Sequence, residues 1–120
     1  MSTKNDLFIS KYKFTTITDW INAMNAVDCT GRVGSINATR RMLEQVFGRP
    51  FDYSDGSVDS DGKTTTEWVI EFGDGEVATI YDYKRYEAGP PALDEFITWS
   101  IGGYPGTDVA DRIHFLTPPF

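Results

Sequence analysis

The chain has 120 residues, 40% hydrophobic and 14% aromatic, enough apolar material for one domain, 1–120, to bury a core without covalent staples. Its single cysteine, Cys29, excludes an intrachain disulfide and, with only one histidine present, a Cys/His zinc site; no apolar run reaches the roughly 18–20 residues of a spanning helix. The net charge of −7 is uneven, with seven Lys and Arg against four acids in residues 1–50 but four against fourteen in residues 51–120, which argues against direct binding of duplex nucleic acid.

Residues 1–15 are expected to be an N-terminal segment free to move. The polar start MSTKND lacks the apolar stretch of a signal peptide, so a soluble, cytoplasmic protein with no membrane partner is expected. Ile17, Trp20, Ile21, Met24 and Val27 recur at helical spacing behind Thr16 and Thr18, either of which can cap, and predict a short amphipathic helix near 18–27. The glycines of DCTGRVGS break it, and Arg32–Ile36 reads as a brief edge strand. Asn37 as cap, the stripe Met42, Leu43, Val46 and Phe47, Gly48 at the helix end and Pro50 beyond it predict a helix over 38–47.

Phe51–Ser54 can begin a strand, and SDGSVDSDGK, 54–63, reads as a polar loop. Thr64–Phe72 alternates, with Trp68, Ile70 and Phe72 on one face and Glu67, Val69 and Glu71 on the other, as in a half-buried strand. GDGE is a hairpin turn, and Val77–Lys84 returns antiparallel. The inward face of that strand is open, since Val77, Thr79, Tyr81 and Tyr83 compete with Ala78 and Ile80. AGPPALDE, 88–95, is a linker, and Phe96–Ile101 is a third main strand with Ile97, Trp99 and Ile101 on one face. After GGYPG, Val109, Ile113 and Leu116 make a last short helix capped by Thr107 and stopped by Pro118, leaving 117–120 as a tail. The fold expected is α+β, with helices packed on one face of a three- to four-stranded antiparallel sheet in the order α-α-β-β-β-(β)-α.

Chemistry is sparsely marked. His114, the only histidine, sits near the end of a short helix, where a cation suits the dipole, and no nucleophile or base is spaced to work with it, so no catalytic residue is assigned. Asp55, Ser57, Asp59 and Asp61 alternate as calcium ligands do, but Ser60 stands at the turn position that requires glycine and Thr66 where a bidentate Glu is needed. No metal and no cofactor is expected. GGYPGT, 102–107, joins a strand to a helix start, a geometry that can receive phosphate, although Asp108 in the first turn would repel it. In TIYDYKRYE, 79–87, Asp82 and Lys84 share one side of a strand and can pair weakly with each other or with Glu71.

The succession NATR, LEQVFGRP, KTTTEWVIEF, DGEVATIYDYK and WSIGG, over residues 37–103, resembles a group of small proteins of tailed bacteriophages. The same progression is similar, in fold alone, to the helix-helix-sheet modules of β-lactamase inhibitor proteins and of a small outer-membrane assembly lipoprotein. The phage resemblance carries no assigned active site. It implies a non-enzymatic accessory protein of the infected cell's cytoplasm, an inhibitor of host defence that binds a host bacterial protein.

Two sets of residues are candidates for binding. An acidic face of Asp52, Asp55, Asp59, Asp61, Glu67, Glu71, Asp74 and Glu76 can occupy a basic patch of the host partner, with strong salt dependence. Alternatively a rim of Lys84, Arg85, Tyr86, Gly102, Gly103 and Tyr104 can hold a nucleotide or other small ligand, making the protein a signal sponge. A homodimer through a sheet face or the Val33 edge strand is allowed, as is a monomer.

Overall fold

A computed structural model describes residues 11–28, 30–53, 64–83 and 90–118. Its elements are β1 (Phe14–Thr16), α1 (Trp20–Val27), β2 (Gly31–Ala38), α2 (Arg40–Phe47), β3 (Phe51–Asp52), β4 (Thr66–Phe72), β5 (Val77–Tyr81), β6 (Ile97–Gly103) and α3 (Val109–Leu116). All strand pairs are antiparallel. The sheet runs β1-β4-β5-β6-β2, with β3 also on β4, so β1 and β3 follow one another along the same edge of that strand.

The period-two pattern of β4 decides how the layers are built. Its even positions Trp68, Ile70 and Phe72 join Ala78 and Ile80 of β5, Trp99 and Ile101 of β6 and Ile36 and Ala38 of β2 in the main core. Leu43 and Phe47 of α2 and Val109 and Ile113 of α3 close that face. The two tryptophans meet edge-on at 5.3 Å, and each indole N–H finds a backbone acceptor, Trp68 at the Gly48 carbonyl (2.7 Å) and Trp99 at the Ala38 carbonyl (3.0 Å).

The odd positions point to a second face. There Val69 and Val77 pack with Ala23 of α1, flanked by Ile17, Met24, Val27, Phe51 and Tyr104. The helices therefore cover both faces, not one, and the sheet has six strands rather than three or four. The order is β-α-β-α-β-β-β-β-α. One strand, β1, escaped the sequence reading, while β3 is shorter than the start expected at Phe51–Ser54 and β2 longer than the expected edge strand Arg32–Ile36. β1 and β3 are only three and two residues long, too short to display a period, and β2 runs the full eight residues Gly31–Ala38 because β6 pairs with it throughout, absorbing a bulge between Arg32 and Gly34.

Element ends move for local reasons. The α1 cap is Asp19, whose Oδ1 accepts the Ile21 amide at 3.0 Å, not Thr16 or Thr18; Thr16 instead donates its hydroxyl to the Phe47 carbonyl. Thr39, not Asn37, caps α2 by accepting the Met42 amide at 3.1 Å, while Asn37 stays in β2 and accepts the Thr98 hydroxyl. Gly48 ends α2 at φ 81°, as the sequence suggests. At α3 the cap position belongs to Asp108 and not Thr107. Among the described residues no helix is long and apolar enough to cross a membrane.

Candidate functional site

α1 is eight residues long, and that length shapes the second face. It covers Val69 and Val77, then ends at Val27, whose carbonyl accepts both the backbone N–H and the hydroxyl of Thr30 (3.0 and 2.6 Å). Past that end no helix among the described residues covers the same face of the sheet, where Glu67 of β4, Thr79 and Tyr81 of β5 and Gly102 of β6 lie side by side. The result is a groove of about 230 Å3 lined by Val27, Thr30, Gly31, Thr64, Glu67, Thr79, Tyr81, Tyr83 and Gly102. Gly102 keeps it open, because a Cβ there would lie 2.5 Å from Cγ2 of Thr79 and 3.5 Å from the Tyr81 ring.

Glu67 is the groove's acid. Its Oε1 accepts the Tyr53 hydroxyl and its Oε2 the Thr79 hydroxyl, both at 2.7 Å. Burial pushes the Tyr53 phenol far above its ordinary value, and the Glu67 charge adds to that. Tyr81, opposite Glu67 in the strand register, is raised by the same two causes in the same order. The phenols thus remain protonated donors at neutral pH. The Tyr81 and Tyr83 rings meet edge to face, centroids 6.2 Å apart, and Tyr83 is 45% exposed. The groove can present a carboxylate, hydroxyls and ring faces to a ligand that donates hydrogen bonds or stacks.

No family model matches the sequence, and no curated protein or solved structure matches it either.

The acidic set expected to form one face is divided. Asp74 holds Arg112 through two 2.8 Å bonds, and the guanidinium, 5% exposed and 5.0 Å above the Phe72 ring, also bonds Asp108. Arg112 holds the Asp74 carboxyl below the usual carboxylate range, and Lys11 foremost does the same for Asp108. Asp52 lies 3.9 Å from the Arg40 guanidinium. Glu67 lies in the groove, while Glu71 is exposed at the other end of β4 and Glu76 is half-buried beyond the turn. Asp55, Asp59 and Asp61 lie outside the described residues.

The rim set is divided too. Gly102 lines the groove, but Gly103 points to the opposite face, where a Cβ would meet Cγ2 of Val109 at 2.5 Å. Both glycines belong to β6, which runs past Ile101 because Gly31 and Arg32 pair with them, so the strand-to-helix turn weighed as a phosphate site does not begin at Gly102. Tyr104 donates its hydroxyl to the Ala26 carbonyl at 2.9 Å, which anchors α1. Lys84, Arg85 and Tyr86 lie outside the described residues.

Glu71 sits opposite Val77, and Asp82 is fully buried just past the end of β5 rather than on an exposed side of a strand. Its Oδ1 accepts the amides of Thr65 and Thr66 at 2.9 and 2.8 Å, and Oδ2 accepts the Thr65 hydroxyl, so it fastens the start of β4. His114 donates from Nε2 to the Ser35 carbonyl at 2.8 Å and joins α3 to β2. Of the groove lining, only Glu67 and Gly102 were singled out from the sequence; Thr79 and Tyr81 are among those left unassigned, as is Tyr53, which holds Glu67. Their signal was the odd-position alignment of Thr79 and Tyr81 with Glu67, which is readable only once the hairpin register is known.

Proposed function

We propose that this chain is a non-enzymatic binding protein that docks on a basic surface of a protein partner with the second face of its sheet, the groove taking one projecting side chain. The composition of the groove carries this reading. Its described lining holds one carboxylate, three threonines and two tyrosines and includes no Lys or Arg, in a chain of net charge −7. A volume near 230 Å3 suits one side chain better than a cofactor. Exposed Glu71 adds charge farther along the same face. The tailed-phage resemblance makes the partner a host bacterial protein and the role inhibition of host defence in the infected cytoplasm.

Attraction of this kind weakens with salt. Affinity capture from bacterial lysate should retain a basic protein on the wild type and lose it on Glu67→Gln/Glu71→Lys, and also in about 0.5 M salt, where screening falls to a few ångströms. Equal capture by the double variant would refute the assignment. A second reading has one observation in its favour, the Tyr81 and Tyr83 rings beside the bare backbone of Gly102, where a flat nucleobase could stack. It ranks second because Glu67 would repel a phosphate. A melting temperature raised by a free nucleotide would reverse that ranking.

A further inference from the structure

We infer that a pocket at the seam between β1 and β3 is a separate binding site for a small hydrophobic carboxylate. Along the outer edge of β4, β1 ends with Thr16 opposite Ile70 and β3 begins with Phe51 opposite Glu67. Between them the Ile17 amide reaches the Val69 carbonyl at 2.8 Å, and the chain on either side leaves the sheet. The gap is a pocket of about 190 Å3 lined by Ile17, Thr18, Arg49, Pro50 and Phe51. It lies on the β1/β3 side of β4, whereas the Glu67 groove opens across β5 and β6, and among the described residues the two share no lining residue.

Arg49 sets the chemistry. It is exposed, and no acid lies among the described residues lining the pocket. The nearest acid in sequence, Asp52, pairs with Arg40. Nor is Arg49 needed to satisfy the end of α2, because the Phe47 carbonyl accepts the Thr16 hydroxyl at 2.6 Å and the Gly48 carbonyl the Trp68 indole at 2.7 Å. An apolar recess of Ile17, Pro50 and Phe51 that shares its lining with a planar five-donor cation fits a ring or branched alkyl group with a carboxylate one or two carbons away. A volume of 190 Å3 limits the ligand to about ten non-hydrogen atoms, for which a dissociation constant on the order of a millimolar is expected.

The test is a titration of the 15N-labelled full chain with 3-phenylpropionate, followed through backbone amides, with 3-phenylpropionamide as the uncharged control. Saturable shifts should cluster at Ile17, Thr18, Arg49 and Phe51, and Arg49→Gln should weaken binding about tenfold or more while leaving the remaining spectrum in place. Arg49→Lys, which keeps the charge without the fork, should fall between. The amide control should bind as weakly as the carboxylate binds Arg49→Gln. Shifts centred elsewhere, no saturable shift, or equal binding by Arg49→Gln would overturn the assignment. Because none of these readouts involves a protein partner or the Glu67 groove, failure here leaves the docking proposal standing.

Discussion

The two faces of one sheet are built from alternate residues of the same strands and have opposite character. On the first, Trp68, Ile70 and Phe72 of β4 and Ala78 and Ile80 of β5 are almost fully sealed under α2 and α3. On the second, the intervening residues start as Val69 and Val77 under α1 and continue as Glu67, Thr79 and Tyr81 in an open groove. What separates the packed face from the grooved one is the reach of one eight-residue helix and one glycine. Under the proposed docking, stability and recognition divide by residue parity along β4 and β5, and substitutions on the two faces should fail in different ways.

The largest expected effect is on the first face. Trp99→Ala or Trp68→Ala removes a fully buried ring together with its indole bond to the backbone and should cost about 3–5 kcal/mol, read from the urea midpoint. Asp82→Ala comes next. It leaves the Thr65 and Thr66 amides without their acceptor and should cost about 1–3 kcal/mol for each that stays buried and unsatisfied. Gly103→Ala forces a methyl against Val109 and should cost about 1–3 kcal/mol, with α3 losing hydrogen-exchange protection before the hairpin does.

A smaller effect depends on pH. Asp74 and Asp108 titrate below their ordinary values in the folded chain, so their contribution is fully present above about pH 4 and is lost as pH falls through the depressed values. Denaturation midpoints measured from pH 5 downward should decline in that window, and Arg112→Gln should flatten the decline. A wild-type midpoint that stays level to pH 2.5 would contradict the ion-pair assignment. The smallest stability change belongs to the second face. Glu67→Gln should alter the midpoint by under about 1 kcal/mol while bringing the Tyr81 phenol back toward its ordinary value, visible in a spectrophotometric tyrosine titration.

Much of the first face was legible in the sequence because burial on one side writes a period-two pattern, as Trp68, Ile70 and Phe72 show, and because Gly48 and Pro50 stop α2 unambiguously. Glu67 and Gly102 could be suspected from their residue types. That Thr79 and Tyr53 would converge on Glu67 could not, since it depends on which residue of β5 faces which of β4 and on a two-residue strand with no periodicity of its own. The acidic face failed as a unit for a related reason. Composition counts carboxylates but cannot say that Asp74 belongs to Arg112, 38 residues away, or that Asp82 turns inward to hold β4.

In the proposed complex a partner meets the second face at the groove. A photo-crosslinking residue in place of Tyr83, exposed at the groove, can be compared with one in place of Phe96, exposed just before β6 and absent from the groove lining, in bacterial lysate at low salt. The expected result is a discrete crosslinked basic protein from position 83, diminished by Glu67→Gln and by salt, with none from position 96. The same adduct from both positions, or one from position 96 alone, would contradict it.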